Sequence, residues 1–496
     1  MPTLDWIGKD KVINHHKDVP YKVLERKYSF DESGMHKEDI HSNNMIIHGD
    51  NLEALKSFLP QYEGKIKCIY IDPPYNTGNE GWIYNDNVND PKIKKWLGEV
   101  VGKEGEDLSR HDKWLCMMYP RLVLLQKLLA EDGAIFISID DNEHANLLLV
   151  CNEIFGSNNF IQDIIWNKRV SPARDAKFFS TDHEYILVYS KNKESLTTHF
   201  LPRTEKNNSY YKNPDNDPRG PWNSAAYTCN KSRDERPNLY YPITNPYTGE
   251  KIFPKESAVW AYSEETYQQH VRDNLLYWGV NGEAKQPRKK AFLSEVGDVV
   301  PRSVWSHSDV GSTQKATMEN NTIFNMRAFS YPKVSTLVER IIQIASDKDS
   351  IVLDSFAGSG TTAHAVLNMN KSDGGNRKFI LVEMGDYADT ITAERVKRVI
   401  NGYGEGKNAV EGTGGNFSYY ELGNPLFMQD GTINDEVDIT EVRKYVWYTE
   451  TNGIEYKEDI QEKYFLGSYN DTAYYFYYEK DRVCLLYTSP SPRDTR

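Results

Sequence analysis

The chain has 496 residues, of which 39% are hydrophobic and 12% aromatic, and its formal net charge is −13. This composition excludes a mostly disordered protein, and at about 150 residues per domain the length predicts about three domains. No apolar run approaches the ~20 residues of a membrane-spanning helix, and the first residues do not resemble a secretory signal, so we expect a cytoplasmic protein without a membrane partner.

The elements predicted for the first part of the chain alternate between strands and helices. Residues 1–44 are polar and irregular, and we interpret them as a loosely docked N-terminal arm. Residues 45–190 then alternate β-branched runs with helical spacing, which predicts a mostly parallel, doubly wound α/β sheet covered on both faces. The predicted elements are a helix from Asp50 or Asn51 to Pro60, a strand at 65–72, a helix at 113–133 kinked at Pro120, a strand at 134–140, a helix at 143–156, and strands at 160–169 and 183–191.

The alternation stops at residues 191–325, which are rich in Pro, Asn, Tyr and Trp and are interpreted as an inserted α+β module. It resumes at 326–402 with the helix 332–346, the strand 350–356, the helix 361–370, the strand 378–384 and the helix 391–400. A glycine-rich linker then leads into an acidic, Tyr-rich C-terminal region, 403–483. Residues 484–496 share no periodicity with the rest and are interpreted as a non-native tail.

The strongest chemical signal is Asp72-Pro73-Pro74-Tyr75, which follows a predicted buried strand. In an open α/β sheet, ligands bind at the carboxyl ends of the strands. Two prolines make a rigid turn without N–H donors, so its carbonyls and the Asp72 carboxylate only accept hydrogen bonds. Such a site suits an exocyclic amine on a planar ring that stacks on Tyr75, although a Pro-Pro turn can also simply end a strand.

The second signal is the turn from Asp354 through Gly358 and Gly360 to Thr361 and Thr362, again between a strand and a helix. Its glycines allow close approach of a ligand, and the helix N-terminus favours a carboxylate or phosphate. Glu383 ends the next strand, at a spacing typical of an acidic side chain that binds ribose hydroxyls. Alone, this turn fits a dinucleotide enzyme equally well, whereas the absence of a Lys after Gly360 excludes a phosphate-binding P-loop.

Neither a metal site nor a cysteine nucleophile is predicted. The five cysteines are scattered and form no zinc-ligand pair, and none lies in either motif.

The combination of the motif DPPY, an insertion and then DSFAGSGTT resembles the DNA amino-methyltransferases of the permuted β class over residues 45–402. IDPPYNTGNEGWIYNDN, FSYPKVSTLVERII and DTAYYFYYEKDRV resemble the modification (Mod) subunits of type III restriction-modification systems, with Val334 where the family usually has a second proline. The resemblance implies a Rossmann-like methyltransferase fold with circularly permuted motifs, S-adenosylmethionine as cofactor and adenine N6 in double-stranded DNA as target. It further implies a homodimer and, in a type III system, a Res-type helicase and endonuclease partner.

The resemblance also implies a role for each motif residue. Asp72 and the Pro73 carbonyl would accept the N6 amino hydrogens of an adenine flipped out of the duplex, with Tyr75 stacked on the ring and Pro74 completing the catalytic motif. The residues implied to bind the cofactor are Asp354, Phe356, Gly358, Gly360, Glu383 at its ribose, Lys333 and Thr361 near its methionine carboxylate, and Asp50 at its adenine, where a plain N-cap is the equally open alternative.

The inserted module is the candidate for reading DNA. Residues 166–333 carry 24 Lys and Arg against 19 Asp and Glu, which makes this region more basic than its neighbours. The candidate contacts to phosphates and base edges are Arg169, Arg174, Lys231, Arg233, Arg236, Arg288, Lys289 and Lys290, each of which could also be a solvated surface charge. The alternatives are a solitary adenine-N6 or cytosine-N4 methyltransferase, a catalytically silent DNA-binding subunit and an NAD-dependent dehydrogenase.

Overall fold

The computed structural model describes residues 3–77, 91–101, 109–174, 176–428, 430–451, 456 and 463–478. Three sequence predictions therefore lie outside the described residues: the second half of the extended DPPY motif, 78–87, the end of the C-terminal motif, 479–483, and the tail, 484–496.

The strands, in chain order, are β1 Lys22–Asp31, β2 Gly34–His36, β3 Met45–His48, β4 Ile66–Ile71, β5 Leu129–Ile139, β6 Phe160–Asn167, β7 His183–Ser190, β8 Trp222–Ala226, β9 Thr228–Cys229, β10 Ile243–Thr244, β11 Lys251–Ile252, β12 Val259–Trp260, β13 Leu276–Tyr277, β14 Arg288–Phe292, β15 Val304–Trp305, β16 Ile351–Asp354, β17 Lys378–Glu383, β18 Gly402–Tyr403, β19 Val410–Glu411, β20 Asn416–Pro425, β21 Phe465–Tyr469 and β22 Thr472–Tyr475.

The α-helices are α1 Lys9–Val12, α2 His15–Asp18, α3 Asn51–Tyr62, α4 Pro91–Val100, α5 Arg110–Leu128, α6 His144–Cys151, α7 Glu205–Asn208, α8 Glu264–Arg272, α9 His307–Val310, α10 Thr313–Phe324, α11 Ser335–Ala345, α12 Thr361–Asp373, α13 Glu394–Asn401 and α14 Ile439–Thr451. Pro60 and Pro120 lie inside α3 and α5. Pro60 therefore does not end its helix as predicted, because it lies in the last turn of α3. The helix predicted to reach Gly133 ends at Leu128, because β5 already begins at Leu129.

The chain forms two compact units, residues 1–199 with 302–496, and residues 200–301. The predicted insertion, 191–325, extends beyond the second unit at both ends. Residues 302–325 lie in the first unit because β15 pairs with β6 there and Glu319 of α10 forms an ion pair with Arg395 of α13.

The first unit is built on an eleven-stranded sheet in the order β15-β6-β7-β5-β4-β16-β17-β3-β20-β1-β2. Its six central strands, from β5 to β20, are parallel, whereas β7 and β1 run antiparallel to their neighbours. The predicted mostly parallel α/β fold is thereby confirmed. Because β4 pairs with β16, two segments about 280 residues apart in sequence end side by side at one edge of the sheet.

Both faces of the central strands are buried, as expected for a parallel sheet. Alternate side chains such as Ile69 and Ile71 join a core cluster with α3 and α5. The intervening side chains, including Cys68 and Tyr70, are equally inaccessible to solvent.

Within the described residues, no helix has the length and apolar character needed to cross a membrane.

The prediction of a loosely docked arm at residues 1–44 is wrong. Strand β1 pairs with β20 along the sheet, and Trp6 and Val12 are buried in the main core. Tyr28 and Phe30 alternate with polar residues in β1, which is a strand pattern. The partner strand β20 belongs to the region predicted as a separate C-terminal part, so residues 416–425 complete the main sheet.

The second unit contains the three-stranded sheet β13-β14-β8 and the two-stranded pairs β10-β11 and β12-β9. Its small core is aromatic and includes Tyr227, Trp260 and Trp278.

Lys290, a candidate DNA contact, is instead buried against Asp215 and Asp217, with Nζ 2.5 and 2.8 Å from their carboxylates. The ammonium is neutralised inside the unit, so its assignment to DNA reading is wrong.

Candidate active site

The Pro-Pro motif lies immediately after β4, at the carboxyl end of the central strand. Asp72 and Tyr75 are each about 8% exposed, so both functional side chains face the interior. The Pro74 carbonyl accepts a hydrogen bond of 2.6 Å from Nε1 of Trp114 in α5. This bond fixes the turn to the neighbouring helix and occupies one of its predicted acceptors.

Lys333 is placed at the centre of this motif. Its Nζ lies 2.9 Å from Oδ1 of Asp72 and 3.2 Å from Oε2 of Glu184, and it donates a 2.7 Å hydrogen bond to the Tyr75 hydroxyl. The same ammonium is 4.7 Å from the centroid of the Tyr75 ring, within the range of a cation–π contact. The structure therefore joins Lys333 to the catalytic motif through its side chain.

Glu184, at the start of β7, completes the network and was missed in the sequence. Its Oε2 accepts a 3.1 Å hydrogen bond from the Tyr75 hydroxyl, and its Oε1 lies 2.7 Å from Nζ of Lys168. Burial by itself would raise the pKa of Glu184, but Lys333 and Lys168 outweigh it and lower the pKa to about 2. A charged residue inside the apolar run HEYILVYS is the sequence signal that could have identified it.

The ionisation of Asp72 depends on two opposing effects. Burial raises its pKa, and the neighbouring Glu184 carboxylate acts in the same direction. The Lys333 ammonium, 2.9 Å from Oδ1, lowers it and so opposes the effect of burial. Lys333 therefore offsets part of the electrostatic cost of burying the Asp72 carboxylate.

The glycine-rich turn follows β16, beside the catalytic motif. Oδ1 of Asp354 accepts a 3.0 Å hydrogen bond from the Phe356 amide, and Oδ2 accepts one of 2.5 Å from the Thr362 hydroxyl. Asp354, which precedes the glycines, is thereby bonded to Thr362 in α12, which follows them. Burial raises the pKa of this carboxyl to about 7.

Two glycines of the turn adopt a left-handed backbone, with φ of 51° at Gly358 and 82° at Gly360. A Cβ added at Gly360 would lie 2.9 Å from the carbonyl oxygen of Thr392, so a larger residue would be both strained and obstructed.

Glu383, at the end of β17, holds the other side of the turn. Its carboxylate accepts hydrogen bonds of 2.7 and 2.8 Å from the amides of Gly358 and Gly385. Burial raises its pKa, and these bonds oppose the rise. Each oxygen still has lone-pair capacity for a further donor.

Thr361 begins α12 and links the turn to two other elements. Its hydroxyl donates a 3.2 Å hydrogen bond to the Lys333 carbonyl and accepts one of 2.8 Å from Nη1 of Arg395. Arg395 is fully buried in α13, and the same Nη1 also bonds the hydroxyl of Ser359. Arg395 therefore positions the turn through Ser359 and Thr361. Its sequence context did not indicate this role.

Asp50 is placed as the N-cap of α3. Its Oδ1 accepts a hydrogen bond of 2.8 Å from the Leu52 amide, and Oδ2 lies 3.3 Å from Nη2 of Arg121. Asp50 is thus the N-cap of α3, and its contact with the cofactor adenine stays a prediction.

Residues of the Pro-Pro motif and of the glycine turn line one pocket. Its lining residues are Tyr70, Asp72, Phe329, Tyr331, Pro332, Lys333, Asp354, Phe356, Ala357, Gly358, Ser359, Thr361 and Thr362. Among the described residues, no group of three or more His, Cys, Asp or Glu is arranged to hold a metal ion. The pocket thus combines the acceptor of the Pro-Pro motif with the backbone of a glycine turn.

Residues 66–394 match the model of the DNA methylase family N6_N4_Mtase. The chain therefore belongs to this family of DNA methylases, as the sequence motifs predicted.

The chain is also similar to several curated relatives. It is 34% identical over 424 residues to the Mod subunit of the type III restriction-modification enzyme StyLTI of Salmonella typhimurium, covering 80% of this chain and 62% of that protein. It is 32% identical over 418 residues to the EcoPI Mod subunit of Escherichia phage P1, covering 77% and 63%. The type II methyltransferase M.KpnI of Klebsiella pneumoniae is 33% identical over 361 residues, covering 69% and 81%. The chain thus spans less than two thirds of the two Mod subunits.

Proposed function

We propose that this chain transfers a methyl group from S-adenosylmethionine to the N6 amino group of adenine in double-stranded DNA, in a cytoplasmic setting. The observation that carries the proposal is the pocket in which Asp72 and the glycine turn meet. Membership of the DNA methylase family supports the same chemistry. The similarity to two Mod subunits favours a modification subunit of a type III system, which would act as a homodimer with a Res-type helicase and endonuclease.

The residues of the glycine turn fit the proposed cofactor. The turn presents backbone at two left-handed glycines, a side chain at Gly360 would collide with the Thr392 carbonyl, and α12 offers its N-terminus to a carboxylate. Glu383 is the candidate for the ribose hydroxyls, and Phe356 and the backbone of Gly358 and Gly360 would approach the rest of the cofactor. When bound, S-adenosylmethionine supplies an electrophilic methyl group.

The catalytic motif supplies the orientation of the amine. The N6 lone pair of adenine is delocalised into the ring and is a poor nucleophile. Hydrogen bonds from the amine to the Asp72 carboxylate and the Pro73 carbonyl favour a tetrahedral nitrogen and aim its lone pair at the methyl group. The ring of Tyr75 provides a stacking surface for the base, which must leave the duplex to reach it. With the cofactor bound, its methyl carbon would exchange its bond to sulfur for a bond to N6, and N6 would release one proton to solvent.

The product of methylation tests this proposal. Unmethylated genomic DNA incubated with the protein and isotopically labelled S-adenosylmethionine should yield labelled N6-methyladenine when its nucleosides are separated by mass spectrometry. Labelled N4-methylcytosine would instead support the cytosine alternative, because the same acceptor geometry suits that amine. Absence of both products, with tight binding of NAD, would support the dehydrogenase alternative.

Replacing Gly360 with valine should weaken S-adenosylmethionine binding by about tenfold or more, or about 1.4 kcal/mol. The reason is the left-handed backbone together with the obstruction by the Thr392 carbonyl. Isothermal titration calorimetry measures the dissociation constant directly. Gly374→Val is the matched control, since Gly374 has a φ of 66° but open space around its Cβ position. Equal loss of binding in both variants would refute a specific role for the turn.

A further inference from the structure

The loop of residues 168–182 connects β6 to β7 and leaves the sheet beside the active site. Strand β6 ends at Asn167 opposite His183, the first residue of β7. Strand β7 in turn begins next to the end of β5, which runs parallel to β4. The loop therefore projects from the same sheet edge at which Asp72 follows β4.

Both ends of this loop are tied to the catalytic motif. The Lys168 amide donates a 2.9 Å hydrogen bond to the Asp182 carbonyl, and Nζ of Lys168 lies 2.7 Å from Glu184. Glu184 accepts the hydrogen bond from the Tyr75 hydroxyl. Phe179 is five residues from Glu184, so their Cα atoms lie at most about 18 Å apart.

The tip of the loop carries two adjacent phenylalanines in solvent. Phe178 is 82% exposed and Phe179 is 93% exposed, the largest value for a large hydrophobic residue in the described part of the chain. The loop is nevertheless closed by a 2.7 Å hydrogen bond from the Ala173 amide to the Ser180 hydroxyl. Since burial of aromatic surface is strongly favourable, an exposed aromatic pair at a defined turn indicates a partner.

The charges around the phenylalanines identify the kind of partner. Arg169, Arg174 and Lys177 are exposed, and within the described residues no carboxylate lies within salt-bridge distance of them. The Lys177 ammonium lies 5.3 Å from the Phe178 ring. Apolar side chains flanked by exposed cations suit DNA, in which the cations meet phosphates and the apolar groups enter between bases.

We propose that Phe178 and Phe179 enter the base stack beside the target and fill the space that the extruded base leaves, while Arg169, Arg174 and Lys177 contact the flanking phosphates. This inference rests on the proposed function and adds to it the element that holds the duplex open. Glu184 contacts both Lys168 of the loop and Tyr75 of the catalytic motif, so it connects the loop to the motif. A base leaving the stack at the loop would then enter the pocket at Asp72.

The test uses two synthetic duplexes that contain the methylated sequence, identified beforehand by long-read sequencing of modified DNA. One duplex is fully paired, and the other carries an abasic site opposite the target base, so that extrusion breaks no base pair. The double variant Phe178→Ser/Phe179→Ser should lose at least tenfold in methylation rate on the paired duplex. On the abasic duplex it should stay within about threefold of the unmodified protein, because extrusion there is easier.

A second variant and the measured affinity for S-adenosylmethionine distinguish insertion of the phenylalanines into the base stack from a purely structural role. Phe178→Leu/Phe179→Leu retains apolar bulk and should preserve most of the activity on the paired duplex. Both variants should bind S-adenosylmethionine normally. Equal rates of the serine variant and the unmodified protein on both duplexes would overturn the inference. Equal losses on both duplexes would overturn it as well, because the phenylalanines would then not act on extrusion of the base. An unmodified protein inactive on both duplexes would refute the proposed function itself.

Discussion

Replacing Asp72 with alanine is expected to reduce methyl transfer by about 10² to 10³-fold or more, the range typical of removing a preorganised hydrogen-bonding group. In the proposed reaction Asp72 acts on the target amine, and it lies beside the glycine turn without belonging to it. Its loss should therefore leave the affinity for S-adenosylmethionine nearly unchanged. Single-turnover rates with labelled cofactor, together with calorimetric titration, measure the two effects separately.

The isosteric variant Asp72→Asn distinguishes charge from shape. An amide keeps one acceptor oxygen but cannot form the ion pair with Lys333, so an intermediate rate is expected. If Asp72→Ala retained a rate near that of the unmodified protein, the acceptor site would have to be elsewhere. If it lost cofactor binding as well, the residue would act by supporting the glycine turn.

The parts of the site that were predictable from sequence are local. Asp72 and Asp354 each end a short apolar run that is followed by chain-breaking residues, and such runs predict buried strands. That the two ends would lie near each other follows from the shared edge of parallel strands. The register that places β4 directly beside β16 depends on packing and required the structure.

The parts that were missed or misassigned depend on partners distant in sequence. Glu184 acquires its role from Lys333, 149 positions away, and Arg395 acquires its role from the turn that it supports. Lys290 is indistinguishable from a surface lysine until Asp217 is found beside it. For the same reason β1 could not be recognised as part of the sheet, since its partner β20 lies almost 400 residues further along the chain.

Lys333 connects the two motifs more closely than the resemblance implied. Its side chain contacts Asp72, Glu184 and Tyr75, whereas its carbonyl accepts the hydrogen bond from Thr361. A role at the methionine carboxylate and a role at Asp72 make different predictions when the charge is removed.

Replacing Lys333 with methionine is expected to move the acidic limb of the pH–rate profile to higher pH. In the proposed reaction Asp72 accepts one hydrogen bond of the amine, most strongly when it is ionised, and its pKa is raised by burial and lowered by Lys333. The other titratable groups that face it are Tyr70, Tyr75, Glu184 and Asp354. None of these is a cation, so loss of the ammonium raises the pKa of Asp72. Because removal of an adjacent opposite charge disfavours the ionised carboxyl, the acidic limb is expected to move toward higher pH.

Methylation rates of Lys333→Met measured from acidic to mildly basic pH would show this shift, with Lys333→Arg as the control. Arginine retains the charge, so its acidic limb should remain near that of the unmodified protein even if its rate falls. Calorimetry of cofactor binding completes the comparison. An unshifted limb combined with weaker binding of S-adenosylmethionine by Lys333→Met would place the ammonium at the methionine carboxylate. A shifted limb with normal cofactor affinity would establish that Lys333 acts on the target amine through Asp72.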